Sequence, residues 1–310
     1  MGRLKVGLHI DGDVWEPEQI TRVEEVGFDI LTTGEHILFF RPILDIITVL
    51  SYAAAVTKKI TLIPSTLIMT VRHPTILAKE LTSLDILSKG RLIASVGIGG
   101  DYPSELPACG VSMKERGIRA NEGIQIIKNY WRGESFSFDG KIFQLEDVNM
   151  LPGPYQEGGP PLWVCGRSDA ALKRAAKYGD GWQPYMFTAD QLSEARNKIF
   201  DFAGDIDREL PEDFAFTTFI YVSMHDDVEE ARNRAIEQLS YRFGLPFEKI
   251  VDKYCMYGPD EKIIEELAAY LKAGTNRMIV AMVMPPEERI EYVERFAQNI
   301  LPALQAMQTK

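Results

Sequence analysis

The sequence has little cysteine, little histidine and no long apolar run. Its three cysteines, Cys109, Cys165 and Cys255, are widely spaced and odd in number, and no CxxC pair occurs. Neither a disulfide framework nor a zinc site is expected, and a reducing cytoplasm fits. The four histidines, His9, His36, His73 and His225, show no i,i+4 pairing and no HExxH spacing, so metal binding is not expected. No apolar run approaches the ~20 residues that span a bilayer. Residues 1–10 lack the charged start, apolar stretch and small-residue cleavage site of a signal peptide, and read as a strand. Positive charge is also scarce. There are 34 Lys plus Arg against 45 Asp plus Glu, a formal net charge of −11. That balance argues against nucleic acid and anionic membrane surfaces as partners. No GxSxG elbow is present, so an α/β-hydrolase reading fails.

What the chain does have is a recurring unit of apolar strand, functional loop and helix. Lys5 to Ile10, Phe28 to Thr33, Ile60 to Met69 and Arg91 to Val96 read as the first four strands. Helices are expected over Glu16 to Val26, Leu44 to Thr57, Pro74 to Leu87 and Met113 to Trp131. Phe136 to Leu145 alternates around Asp139-Gly140, a hairpin signal, and Leu151 to Pro161 is a Pro- and Gly-rich crossing. The rhythm resumes with strands at Leu162 to Cys165, Gly181 to Gln183, Phe214 to Ser223 and Arg277 to Met282. Helices over Ser168 to Tyr178 and Ala189 to Phe202 separate the first three of these. Asp226 is expected to cap a further helix to about Tyr241, followed by a helical insertion to Lys272, and Pro286 to Met307 closes the chain. Continuous rather than alternating apolar runs imply strands covered on both faces, hence a parallel sheet. The expected fold is therefore one α/β domain over residues 1–310, a (β/α)8 TIM barrel with insertions after strand 4 and after strand 7.

Barrels of this kind carry chemistry on the loops that follow their strands. Glu35-His36 closes the second strand, the place for a proton donor or acceptor. Pro64 interrupts the third, where proline costs a ladder hydrogen bond, so a distortion near Pro64-Ser65-Thr66 is expected. Gly97-Ile98-Gly99-Gly100 lacks the third glycine and the acidic partner of a dinucleotide loop. Its glycines suit close approach of backbone to a flat ligand. At Gly166-Arg167-Ser168-Asp169 a strand turns into a helix whose first N–H groups could bind phosphate, with Arg167 adding charge. An aldolase or isomerase would want a lysine or glutamate at a strand end. Lys58, Lys59 and Lys89 lie at helix ends instead.

Taken together these residues resemble the bacterial luciferase-like superfamily of flavin- and deazaflavin-dependent oxidoreductases. The resemblance runs through Glu35-His36, Arg72-His73-Pro74, Leu81 to Gly99, Glu115-Arg116-Gly117, Asn121-Glu122 and Tyr130-Trp131. It continues through Pro152, Pro154 and Gln156, Leu162 to Ser168 and Asp180-Gly181-Trp182. It implies a ring-bearing cofactor, coenzyme F420 or FMN, at the barrel mouth beside Gly97 and Gly99, with its phosphate at Gly166, Arg167 and Ser168. In the F420 branch it implies a non-prolyl cis peptide at Ser65-Thr66. His36 and Glu35 are the expected catalytic residues.

The expected reaction is hydride transfer between F420 and a small organic substrate. The alternatives are an FMNH2/O2-dependent monooxygenase and, from another class, a non-catalytic flavin-binding relative. Phe39, Phe40, Tyr102, the crossing and the 241–272 insertion are expected to shape the substrate site. In the sugar-phosphate dehydrogenases of the F420 branch a glutamate follows the Gly-x-Gly. Here Gly100 and Asp101 stand in that place, so a sugar phosphate is not expected. A homodimer is the expected assembly.

Overall fold

The computed structural model describes residues 3–10 and 15–307. Strand β1 (Lys5–Ile10) leads through α1 (Pro17–Glu25) to β2 (Ile30–Thr33) and α2 (Ile46–Val56). Then come β3 (Thr61–Pro64), β4 (Leu67–Ile68), α3 (Pro74–Ser88) and β5 (Ala94–Gly97). A short helix, α4 (Glu105–Ala108), precedes the long α5 (Arg116–Arg132) and a hairpin, β6 (Phe136–Asp139) with β7 (Gln144–Val148). Next are β8 (Leu162–Cys165), α6 (Asp169–Tyr178), β9 (Gly181–Gln183) and α7 (Ala189–Gly204). The chain continues through β10 (Ala215–Met224), α8 (Val228–Phe243), α9 (Val251–Tyr254), β11 (Cys255–Gly258) and α10 (Asp260–Lys272). It closes with β12 (Arg277–Met282), α11 (Arg289–Arg295) and α12 (Leu301–Met307).

The large sheet runs β3-β2-β1-β12-β10-β9-β8-β5-β4, every neighbour parallel. β3 and β4 are two halves of one interrupted stave, and a bridge from Leu62 to Leu92 brings the ends together. The result is the expected barrel. Outward side chains pack beneath the helices in one large apolar cluster. Ile30, Ile63, Trp163 and Ala215 fill the barrel interior lower down.

Helix starts at the functional end follow local chemistry. The Asp45 carboxylate accepts the Thr48 N–H and caps α2. His73 Nδ1 accepts the Thr75 N–H at the start of α3, where Pro74 occupies the first turn and loses no helical hydrogen bond. Thr188 and Gln191 form a reciprocal capping box on α7.

The structure departs from the sequence reading at several places. The third strand is not continuous from Ile60 to Met69 but breaks at Ser65-Thr66. Asp227, not Asp226, caps α8, because its carboxylate reaches the Glu229 and Glu230 N–H groups. The segment expected to be wholly helical to Lys272 contains β11, which pairs in parallel with the last four residues of β10. β9 covers only Ala215 and Phe216 of that ten-residue strand, so its far end needs another partner. The closing helix is divided by a wider π-type turn at Phe296–Ile300, just ahead of Pro302, which has no N–H to donate.

Candidate active site

The strand register sets the expected site residues at one end of the barrel. Thr33 pairs with Pro64, Ile68 with Gly97, Val96 with Val164 and Cys165 with Gln183. The loops that follow these residues share the C-terminal mouth.

Glu35 is 6% exposed. Its carboxylate accepts two hydrogen bonds from Arg72, at 3.0 and 2.6 Å, and one from the Ile68 N–H at 2.7 Å. Burial pushes the carboxyl above its usual range, against the pull of the Arg72 hydrogen bonds and charge. Arg72 reaches Asp45 and Glu80 as well, at 3.1 and 3.5 Å. The Glu35 carboxylate, expected beside His36 as a catalytic group, is thus engaged below the surface, where it ties the second strand end to β4.

His36 has the opposite setting. Its side chain is 27% exposed, and its Nδ1 lies 3.1 and 3.2 Å from the two oxygens of Glu105. Glu105 is itself 1% exposed and also accepts the Ile37 and Leu38 N–H groups at 2.7 and 3.2 Å. A carboxylate only accepts, so Nδ1 carries the proton and Nε2 the lone pair in the neutral ring. Among the described residues Nε2 has no partner. The Phe39 ring stacks on the imidazole, 4.0 Å away and 3° from parallel, with Tyr102 at its edge.

Sequence reasoning missed Glu105. The carboxylate that meets His36 stands on α4, within the run Ser104-Glu105-Leu106. An acid among apolar neighbours on a short helix was the available signal, since buried carboxylates are almost always partnered.

The Ser65-Thr66 peptide is cis, as the resemblance implies. The Gln183 amide donates to the Ser65 hydroxyl, and the Ser95 hydroxyl donates to Gln183 Oε1 at 3.0 Å, with Cys165 Sγ 2.9 Å from Ser95. This buried polar layer lies inside the barrel just below the mouth. Burial pushes the Cys165 thiol up to about 11, against the pull of its hydrogen bonds to Ser95 and Thr66, so it stays protonated. Gly97 lies against the Thr66 side chain, and a Cβ there would overlap the Thr66 methyl. Gly99 adopts φ +64°, and a Cβ there would stand 2.7 Å from Ile68. These glycines are required by the close packing of their loop against Thr66 and Ile68.

Gly166 has φ +130° and its carbonyl accepts the Trp182 indole N–H at 2.8 Å. Ser168 caps α6, its hydroxyl 3.3 Å from the Ala171 nitrogen. Residues 167–170 are exposed, and among the described residues their N–H groups have no partner. The Arg167 guanidinium stands 4.5 Å over the Tyr185 ring, and the Tyr185 hydroxyl donates to Asp101 at 2.6 Å. Burial and then Asp101 push that phenol up to about 12, so it remains a donor. Asp101, Arg167 and Tyr185 thus link the loops after β5, β8 and β9.

A hollow of about 320 Å³ opens beside this mouth, lined by residues 37–39 and 41–43 and Tyr102. Larger hollows lie away from it. One of about 600 Å³ is on the flank between α2 and α3, and one of about 520 Å³ is at the opposite end of the barrel. Among the described residues no group of three His, Cys, Asp or Glu is arranged to hold a metal ion. No described helix is long and apolar enough to cross a membrane.

Residues 16–277 match the family described as luciferase-like monooxygenase. The chain belongs to that family. The expected oxidoreductase class stands with it. An F420-dependent glucose-6-phosphate dehydrogenase of Amycolatopsis mediterranei is 24% identical, the match covering 98% of this chain and 99% of that one. One from Nocardia farcinica is 23% identical, covering 99% and 100%. An F420-dependent secondary alcohol dehydrogenase in complex with an F420–acetone adduct superposes with a TM-score of 0.84. It is 20% identical and the match covers 98% of this chain and 99% of that one. The oxygenating constituent of 3,6-diketocamphane monooxygenase from Pseudomonas putida, in complex with FMN, gives 0.79 at 18% identity, covering 97% and 99%. The family's cofactor types, F420 and FMN, are thus the two expected from the sequence.

Proposed function

We propose that this protein is an F420-dependent oxidoreductase that moves hydride between the deazaflavin and a small organic substrate, with His36 exchanging the accompanying proton. The observation that carries the reading is the His36–Glu105 pair. A buried carboxylate fixes the imidazole through Nδ1 and leaves Nε2 for a ligand at the barrel mouth.

The mouth fits the cofactor. The exposed N–H groups of residues 167–170 and the Arg167 charge suit a phosphate at the start of α6. Gly97, Gly99 and Gly100 hold their loop close against Thr66, Ile68 and Arg116, beside the place where a flat ring would lie. When bound, the deazaflavin supplies a carbon that accepts or gives hydride. His36 then does the acid–base work. Its Nε2 takes a proton from a substrate hydroxyl as that group is oxidised, and returns it to a carbonyl oxygen in reverse. Glu105 supports the imidazolium formed in the first direction. Glu35 and Arg72 position the strand end that carries His36. The three cysteines are free thiols, which supports a cytoplasmic setting.

Titration of the purified protein with F420 and separately with FMN, followed by absorbance, tests the cofactor. F420 should bind at least tenfold more tightly. Tighter binding of FMN would contradict the proposal and favour the monooxygenase reading.

A further inference from the structure

We propose that the substrate is a small, uncharged, largely apolar molecule that presents one oxygen to His36, and not a sugar phosphate. This rests on the reading of the mouth as an oxidoreductase site. Its test is chosen so that the two can fail separately.

The hollow beside His36 has the volume of a small ligand site, at the lower end of the usual range. Its wall is Ile37, Leu38, Phe39, Pro42, Ile43 and Tyr102, with Arg41 as its charged member. Phe39 and Tyr102 are also the rings against His36, so the hollow and the imidazole share a wall.

The rim repeats this chemistry. Leu38, Phe40 and Leu44 are each 44–45% exposed, and so is Leu245 across the opening. The two loops meet where Gly244, with φ +64°, lies under the Phe40 ring; a Cβ there would come within 3.1 Å of it. A contiguous apolar rim around a polar catalytic group marks a surface built to take apolar matter out of water.

Charge points the same way. Glu105 lies against His36 at the edge of the hollow. Its carboxylate repels a phosphate dianion brought to His36. The guanidinium of Arg41 stands over the Phe39 ring at 5.5 Å, and Arg72 is held by three carboxylates. Arg167 lies over Tyr185 on the side read as the cofactor's.

The test is calorimetric titration of the protein without cofactor, using a panel of alicyclic ketones and, separately, glucose 6-phosphate. At least one ketone should bind, and glucose 6-phosphate should give no heat at the same concentrations. Ile37→Asp should weaken ketone binding at least tenfold while leaving F420 affinity unchanged. Leu38→Asp, at a more exposed position, should do the same if the first variant folds poorly. With F420 bound, kcat/KM for the favoured ketone or its alcohol should exceed that for glucose 6-phosphate at least a hundredfold. Comparable binding or turnover of glucose 6-phosphate overturns the proposal, as does failure of every ketone to bind. It is also overturned if Phe40→Glu splits a dimer without changing ketone affinity, since the rim is then a face between copies. Ketone binding without F420 binding would sink the cofactor reading and leave the apolar site standing.

Discussion

Replacing His36 with alanine should lower kcat about a hundredfold or more, the scale of lost acid–base help. The melting temperature and the cofactor affinity should hardly move. His36 is only part-buried, and Glu105, its one hydrogen-bond partner among the described residues, keeps the Ile37 and Leu38 N–H groups when the imidazole goes. Glu105→Gln provides the companion. It keeps the shape but no longer supports the imidazolium, so it should lower kcat less than His36→Ala and shift the pH profile of kcat. Full turnover by His36→Ala with the true substrate would assign the proton to another group. Early unfolding would make His36 a structural residue.

Glu35→Ala should act on the fold rather than on the chemistry. Removing one partner of a buried ion pair leaves a charge uncompensated and costs about 3–5 kcal/mol. Arg72 retains Asp45 and Glu80, so the lower end of that range applies, and the Ile68 N–H also loses its acceptor. A loss of about 3 kcal/mol lowers Tm by roughly 5 °C in a chain of 310 residues. Glu35→Gln should fall between the two because it restores volume and part of the hydrogen bonding. Thermal unfolding monitored by circular dichroism checks this. An unchanged Tm in Glu35→Ala, with kcat lost, would return Glu35 to the catalytic role expected from the sequence.

The barrel was legible because its strands are short continuous apolar runs broken by loops with distinct chemistry. Pro64 marked the break in the third stave correctly, since proline cannot serve the ladder on both sides. The Ser168 cap was readable because its role is local. Two other features were not. The partners of Glu35 and Glu105 were not readable, because which carboxylate is buried against an arginine and which against a histidine is fixed by contacts 37 and 69 residues apart in sequence. Cys255–Gly258 was invisible as a strand because it exists to satisfy the far end of β10, and its four residues sit between helical patterns. Pairing demand across the sheet leaves no local periodicity to read.

The account stands most directly on one binding measurement. F420 titrated into the wild-type protein and into Arg167→Glu should show at least tenfold weaker binding by the variant, or about 1.4 kcal/mol. The variant puts a second negative charge beside the N–H groups at the start of α6, where the phosphate is assigned. The Tm of the free protein should be unchanged, since Arg167 is exposed and among the described residues leans on Tyr185 alone. Equal affinity of the two proteins for F420 would contradict the account, because the phosphate would then lie elsewhere than at Gly166–Ser168.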